Sequence, residues 1–129
     1  QGEFSTLAEC YADYDFIFMH IKPADSAGED GDFDRKVSVI EELDSFLPQL
    51  TSLNPDVVVV TGDHSTPAML KAHSWHPVPV LLSARWCRPD KVSQFGESAC
   101  ISGGLGRISA TQLMPLAMAN ALKLNKFGA

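Results

Sequence analysis

The segment Asp56-Val-Val-Val-Val-Thr-Gly-Asp-His-Ser-Thr-Pro67 constrains this chain more than any other stretch. Four consecutive valines read as a strand covered on both faces, because a strand with one face in water alternates apolar and polar residues. Thr61-Gly62 ends that strand and delivers Asp63 and His64 at its carboxyl end. In open α/β sheets that edge is where ligands bind. A hard carboxylate oxygen beside an imidazole nitrogen suits zinc, manganese or a related divalent ion. Taken alone, the pair has a second reading, in which Asp63 caps a turn and His64 sits in a loop.

At 129 residues, 45% apolar and 20% charged, the chain has the size and composition of one globular domain, read here as a single domain over residues 1–129. Its longest apolar runs, residues 57–60 and 78–82, are far too short to span a bilayer. The amino terminus shows no basic segment followed by an apolar stretch and no initiator methionine, which reads as a processed product or a piece of a longer chain. A formal charge of −6 argues against nucleic acid and anionic membranes as partners, since both require a basic face. Asp25, Glu29, Asp30, Asp32 and Asp34 crowd into one stretch, which is either a solvated loop or a cluster held by a multivalent cation. Cys10, Cys87 and Cys100 are odd in number and widely spaced, with no Cys-x-x-Cys pattern, so they read as reduced thiols in a cytoplasm.

Along the chain, strand and helix patterns alternate. Residues 14–21 (Tyr-Asp-Phe-Ile-Phe-Met-His-Ile) form a first strand candidate. Phe33, Val37, Ile40, Leu43, Leu47 and Leu50 recur at helical spacing and predict an amphipathic helix over about residues 32–53, with Asp32 and Asp34 complementing its dipole. Pro48 kinks that helix or ends a first segment. After the valine strand, a short helix over 68–72, a third strand over 78–83, a short helix near 92–95 and a closing helix over 110–122 are expected. Strand–helix–strand order predicts a mostly parallel sheet with helices on its faces.

Two strand ends therefore carry chemistry-competent groups. The first gives His20, Lys22, Asp25 and Glu29; the second gives Asp63 and His64, with His73 and His76 shortly after. Asp25 and Glu29, four apart, meet on one side if their loop takes a helical turn. Such a set can gather around one or two cations, and two metals about 4 Å apart are a device for phosphoryl transfer.

The segment His20-Ile-Lys-Pro-Ala-Asp-Ser-Ala-Gly-Glu-Asp-Gly-Asp-Phe33, then Thr61-Gly-Asp-His-Ser-Thr-Pro67, then Lys71-Ala-His-Ser74 with Pro77-Val-Pro79, resembles the archaeal-type, cofactor-independent phosphoglycerate mutases. The resemblance continues through Gly104-Leu-Gly-Arg107 and Leu113-Met-Pro115 to Lys126-Phe-Gly128, nearly the whole chain. These enzymes belong to the alkaline phosphatase superfamily. The resemblance thus implies a three-layer α/β/α fold, of which this chain is a carboxyl-terminal part. It also implies a cytoplasmic, glycolytic isomerase that interconverts 3-phosphoglycerate and 2-phosphoglycerate through a phosphoserine.

Carried over position by position, the resemblance implies that Asp25 and His73 serve one metal, and Asp63 and His64 a second. The context of Lys71-Ala-His-Ser74 favours His73 over His76. Glu29 stands where much of the family has histidine; its oxygen still ligates hard ions, or the first metal is weakened. Mn²⁺ is the expected cofactor, with Mg²⁺, Zn²⁺ and Co²⁺ as alternatives. Lys22 and Arg107 are the candidate contacts for the substrate's carboxylate or phosphate. Ser102-Gly-Gly-Leu-Gly-Arg107 has the glycines of an anion-cradling loop but lacks the P-loop ending, so a plain turn is its other reading. The family's nucleophilic serine has no match here, and nothing singles out Ser65 for that role. The expected partners are a phosphoglycerate and the missing amino-terminal part of the same protein, without which the fragment is expected to self-associate and to be inactive. A phosphomonoesterase of the same superfamily and a non-catalytic metal-binding domain are the alternative functions.

Overall fold

The computed structural model describes residues 2–125, so the Lys126-Phe-Gly128 part of the motif set lies outside the described residues. The backbone divides into two compact units, one running to Asn54 and including His64–Trp75, the other formed by Pro55–Asp63 and the chain from His76 onward.

The first unit is helical. Helix α1 (Gly2–Cys10), which no sequence pattern announced, buries Phe4 and Leu7, three residues apart and hence on one face. Helix α2 (Pro23–Asp30) carries proline in its first turn, where the missing N–H has no partner to lose. It stops at Gly31, whose φ of 74° lies in the left-handed region that closes helices. Helix α3 (Phe33–Ser52) starts where the Asp32 carboxylate accepts the Arg35 backbone N–H at 2.9 Å, an N-cap of the ordinary kind. It runs 20 residues straight through Pro48, close to the predicted 32–53. Phe46 on α3 stacks on Phe4 of α1 with ring centroids 5.2 Å apart, while Phe33 and Ile40 of the predicted apolar stripe stay exposed.

Two sequence expectations in this unit are corrected. Residues 14–21 are not a strand; they run as irregular chain between a short 3₁₀ turn (Tyr11–Asp13) and α2. Strand-like composition supplies side chains for a pleated surface, but a strand exists only with a ladder partner, and none is present among the described residues. Tyr14, Phe16 and Phe18 are 65%, 61% and 76% exposed in consequence. The helix expected over 68–72 is a single turn, with the Leu70 and Lys71 N–H groups donating to the Pro67 carbonyl at 3.0 and 3.1 Å. Lys71 then takes φ 50°, which ends helical propagation.

The second unit holds strands β1 (Val57–Thr61) and β2 (Val80–Ala84). They pair antiparallel, Val57 opposite Ala84 and Thr61 opposite Val80. The mostly parallel sheet is not found among the described residues, whose sheet is two-stranded and antiparallel. A parallel pair needs a crossover element, and residues 62–79 contain no helix to provide one. The four valines are all half-buried, without alternation but short of the full cover on both faces that the run predicts, whereas β2 alternates.

Helix α4 (Glu97–Cys100) takes the place of the helix expected near 92–95. The Asp90 side chain accepts the Val92 N–H at 2.8 Å, a local turn that competes with helix formation there. Helix α5 (Leu113–Asn120) follows a 3₁₀ turn (Ala110–Gln112) closed by a reciprocal Ser109–Gln112 capping box, and Pro115 falls harmlessly in its first turn. The thiols of Cys10, Cys87 and Cys100 are free. Among the described residues no helix is long and apolar enough to cross a membrane.

Candidate metal centre

In the helical unit, α2 carries Asp25 and Glu29 one turn apart, the arrangement their spacing predicted. Opposite them, the chain from His64 to His73 folds back on itself. An antiparallel bridge joins Ser65 to Ser74, with the Ser74 N–H donating to the Ser65 carbonyl at 2.8 Å. That bridge brings two distant histidines together, and the His64 and His73 rings stack with centroids 3.8 Å apart.

The result is a cluster of three donor groups. Asp25, His64 and His73 each offer one ligand atom, and these atoms lie within 4.8 Å of one another. The Asp25 Oδ1 to His73 Nε2 distance is 3.7 Å, and Glu29 Oε1 approaches His73 Nε2 at 3.6 Å. Both are too long for hydrogen bonds. They are close to the edge of a coordination tetrahedron, about 3.4 Å for bonds of about 2.0–2.2 Å. One carboxylate oxygen and two imidazole nitrogens are a donor set that a divalent ion of the manganese–zinc series accepts, so the residues fit the metal their sequence suggests.

Two neighbours shape the carboxylate. Lys22, a turn before Asp25, pairs its ammonium with Oδ2, and the Thr66 hydroxyl donates to Oδ1 at 2.6 Å. Together these hold the Asp25 carboxyl down at about 2, from an ordinary 3.8. Lys22 itself is exposed, and its pairing partner is this donor residue. Thr66 is only 4% exposed and also lies 3.1 Å from His64 Nδ1. Its carbonyl accepts from Lys36 Nζ of α3 at 2.5 Å and passes so close to Gly28 that any Cβ there would collide with it. Reading the sequence missed Thr66; its one signal was its place two residues after His64 in the motif.

The remaining candidates fall elsewhere. Asp63 belongs to the second unit, as do His76 and Arg107. Arg107 is exposed and follows Gly106, which has φ 62°. The loop before it is anchored by Asp90, whose Oδ2 accepts the Gly104 N–H at 2.6 Å. That bond, then the one from Val92, lowers the Asp90 pKa. Gly104, Leu105 and Ile108 line an open cavity of about 470 Å³ against Pro115 and Leu116 of α5. His20 is exposed, with its ring stacked loosely on Phe18 at 6.4 Å.

Comparison with known proteins puts this donor set in context. A protein of Thermotoga petrophila named "Probable 2,3-bisphosphoglycerate-independent phosphoglycerate mutase" is 55% identical over 127 residues, 98% of this chain and 32% of that protein. Like-named proteins of Deinococcus radiodurans and Aquifex aeolicus are 54% and 50% identical over the whole chain, again 32% of each. The resemblance drawn from the motifs is thus borne out, and the chain spans about a third of the length of the curated relatives it matches. The solved PH0037 protein of Pyrococcus horikoshii matches with a TM-score of 0.91 at 38% identity, covering 98% of this chain and 39% of that one. Residues 3–120 match the profile of one family, and with that match the clustered aspartate and histidines have their setting: the chain belongs to the Metalloenzyme superfamily.

Proposed function

We infer that this chain is part of a 2,3-bisphosphoglycerate-independent phosphoglycerate mutase and supplies part of its metal site. The observation that carries the reading is the convergence of Asp25, His64 and His73, with ligand atoms within 4.8 Å of one another, residues that the family resemblance distributes over two neighbouring metals. The names of relatives 50–55% identical to the chain support the substrate, a phosphoglycerate.

In this reading the 129 residues are one piece of a single phosphotransferase domain whose complete sheet is mostly parallel. Exposure of Tyr14, Phe16 and Phe18 supports a missing neighbour there. Asp25, Glu29 and His73 hold one ion; Asp63 and His64 serve the second. Mn²⁺ suits the site best, because Glu29 adds a second carboxylate beside His73 and hard oxygen donors favour it over softer ions. When bound, such ions lower the pKa of a hydroxyl nucleophile and neutralise charge on the transferred phosphoryl group. The chain's own residues do the rest: Asp25 stays ionised beside Lys22, and Lys22 and Arg107 offer cationic contacts to the substrate's carboxylate or phosphate. The nucleophilic serine lies in the part of the protein outside this chain, and the enzyme works in the cytoplasm.

The test is isomerisation of 3-phosphoglycerate by the full-length protein, with and without EDTA, beside the 129-residue chain. Metal-dependent conversion to 2-phosphoglycerate by the full-length protein alone is expected. Release of inorganic phosphate without isomerisation would replace the mutase with a phosphomonoesterase. Turnover by the isolated chain would overturn the assignment of the nucleophile.

A further inference from the structure

Thr66 has one hydroxyl proton and two neighbours that compete for it. The Asp25 carboxylate is acceptor only, so the 2.6 Å contact to Oδ1 takes the proton. The lone pairs of Oγ1 are then what His64 Nδ1 meets at 3.1 Å, and a contact with an acceptor requires Nδ1 to carry hydrogen. A neutral imidazole protonated on Nδ1 has its lone pair on Nε2. The residue has little freedom to choose otherwise. It is 4% exposed, Lys36 holds its carbonyl, and the backbone of Gly28 closes over the same atom.

Resting on the metal-site reading above, we propose that Thr66 is a positioning residue: it aims Asp25 Oδ1 and fixes His64 as its Nδ1–H tautomer, with Nδ1, 3.9 Å from that oxygen, turned to the hydroxyl and the lone pair of Nε2 left for a divalent ion. Histidine ligands are commonly oriented in this way by a partner on the other ring nitrogen. Here that partner is a hydroxyl which orients a second ligand at the same time, so losing it disturbs two donors at once.

The experiment uses Thr66→Val, which removes the hydroxyl at nearly constant volume, and Thr66→Ser, which keeps it. Long-range ¹H–¹⁵N spectra of the histidine rings in the metal-free chain read the tautomer directly. Wild type and Thr66→Ser are expected to show His64 with its proton on Nδ1, and Thr66→Val a mixture shifted toward Nε2–H. In calorimetric titrations with Mn²⁺ alone, Thr66→Val is expected to lose about ten- to a hundredfold in affinity, and Thr66→Ser to stay near wild type. Wild-type His64 protonated on Nε2 overturns the proposal without recourse to any variant. Wild-type Mn²⁺ affinity in folded Thr66→Val overturns the positioning role. If the full-length protein takes up no Mn²⁺ at all, the metal reading itself falls, while the ring spectra still decide whether Thr66 sets the tautomer.

Discussion

Asp25 in the helical unit and Asp90 in the sheet unit are both carboxylates with lowered pKa values, but they are held by different partners. Asp90 spends one oxygen on the Val92 N–H and the other on the Gly104 N–H, fastening two pieces of backbone together. Asp25 is held by side chains, the Lys22 ammonium and the Thr66 hydroxyl, and its Oδ1 still faces His73 Nε2 at 3.7 Å. The first arrangement fixes a loop. The second orients an oxygen toward other donors, which is what a metal ligand needs. A low pKa alone does not mark a site; the identity of the holding groups does.

The comparison breaks most visibly at Gly28. A methyl group there collides with the Thr66 carbonyl, a backbone atom that cannot swing aside. Gly28→Ala is expected to cost about 1–3 kcal/mol in urea unfolding and to weaken Mn²⁺ binding as well, because Thr66 is displaced. An unchanged stability and affinity would show that the packing of α2 against the Thr66 segment is not tight. Asp90→Ala should have a smaller effect on stability, confined to the loop through Gly104, and should leave Mn²⁺ affinity unaltered. Loss of metal binding in that variant would erase the distinction between the two carboxylates.

Acid titration sharpens the same contrast. Both carboxyls have folded pKa values below their unfolded ones, so the folded chain binds fewer protons than the unfolded chain in that interval, and stability rises with pH through it. For Asp25 the contribution is complete above 3.8 and is lost as pH falls through about 2. Urea midpoints should therefore fall on acidification across this window, less steeply for Asp25→Asn and for Asp90→Asn than for wild type. Identical slopes in all three would show that neither carboxyl is linked to folding. The smallest effect is expected at the exposed Arg35–Asp30 pair, 3.0 Å apart, where Arg35→Ala should change unfolding by about 0.5 kcal/mol or less.

What was legible in the sequence follows from the range of the forces involved. Helix α3 could be read because its apolar spacing and the Asp32 cap act within a few residues. The helical turn joining Asp25 to Glu29 is equally local. The sheet was not legible, since the valine run announces a covered strand without naming its partner, and β1 pairs antiparallel with β2. Residues 14–21 show the same limit, with strand composition and no ladder among the described residues. Thr66 was invisible for a further reason. A threonine after His64-Ser65 looks like turn material, and its role appears only when a helix bearing Asp25, 41 residues earlier, packs against it. The cluster of Asp25, His64 and His73 was half legible: the residue types were apparent, whereas the bridge from Ser65 to Ser74 that stacks the two imidazoles was not.

The most direct test of the metal centre is calorimetric titration of the full-length protein with Mn²⁺, run beside His73→Ala and Asp90→Ala. Saturable binding that His73→Ala weakens by more than about a hundredfold, and that Asp90→Ala leaves intact, is the predicted result. Binding that is absent from the full-length protein, or indifferent to His73, would contradict the account.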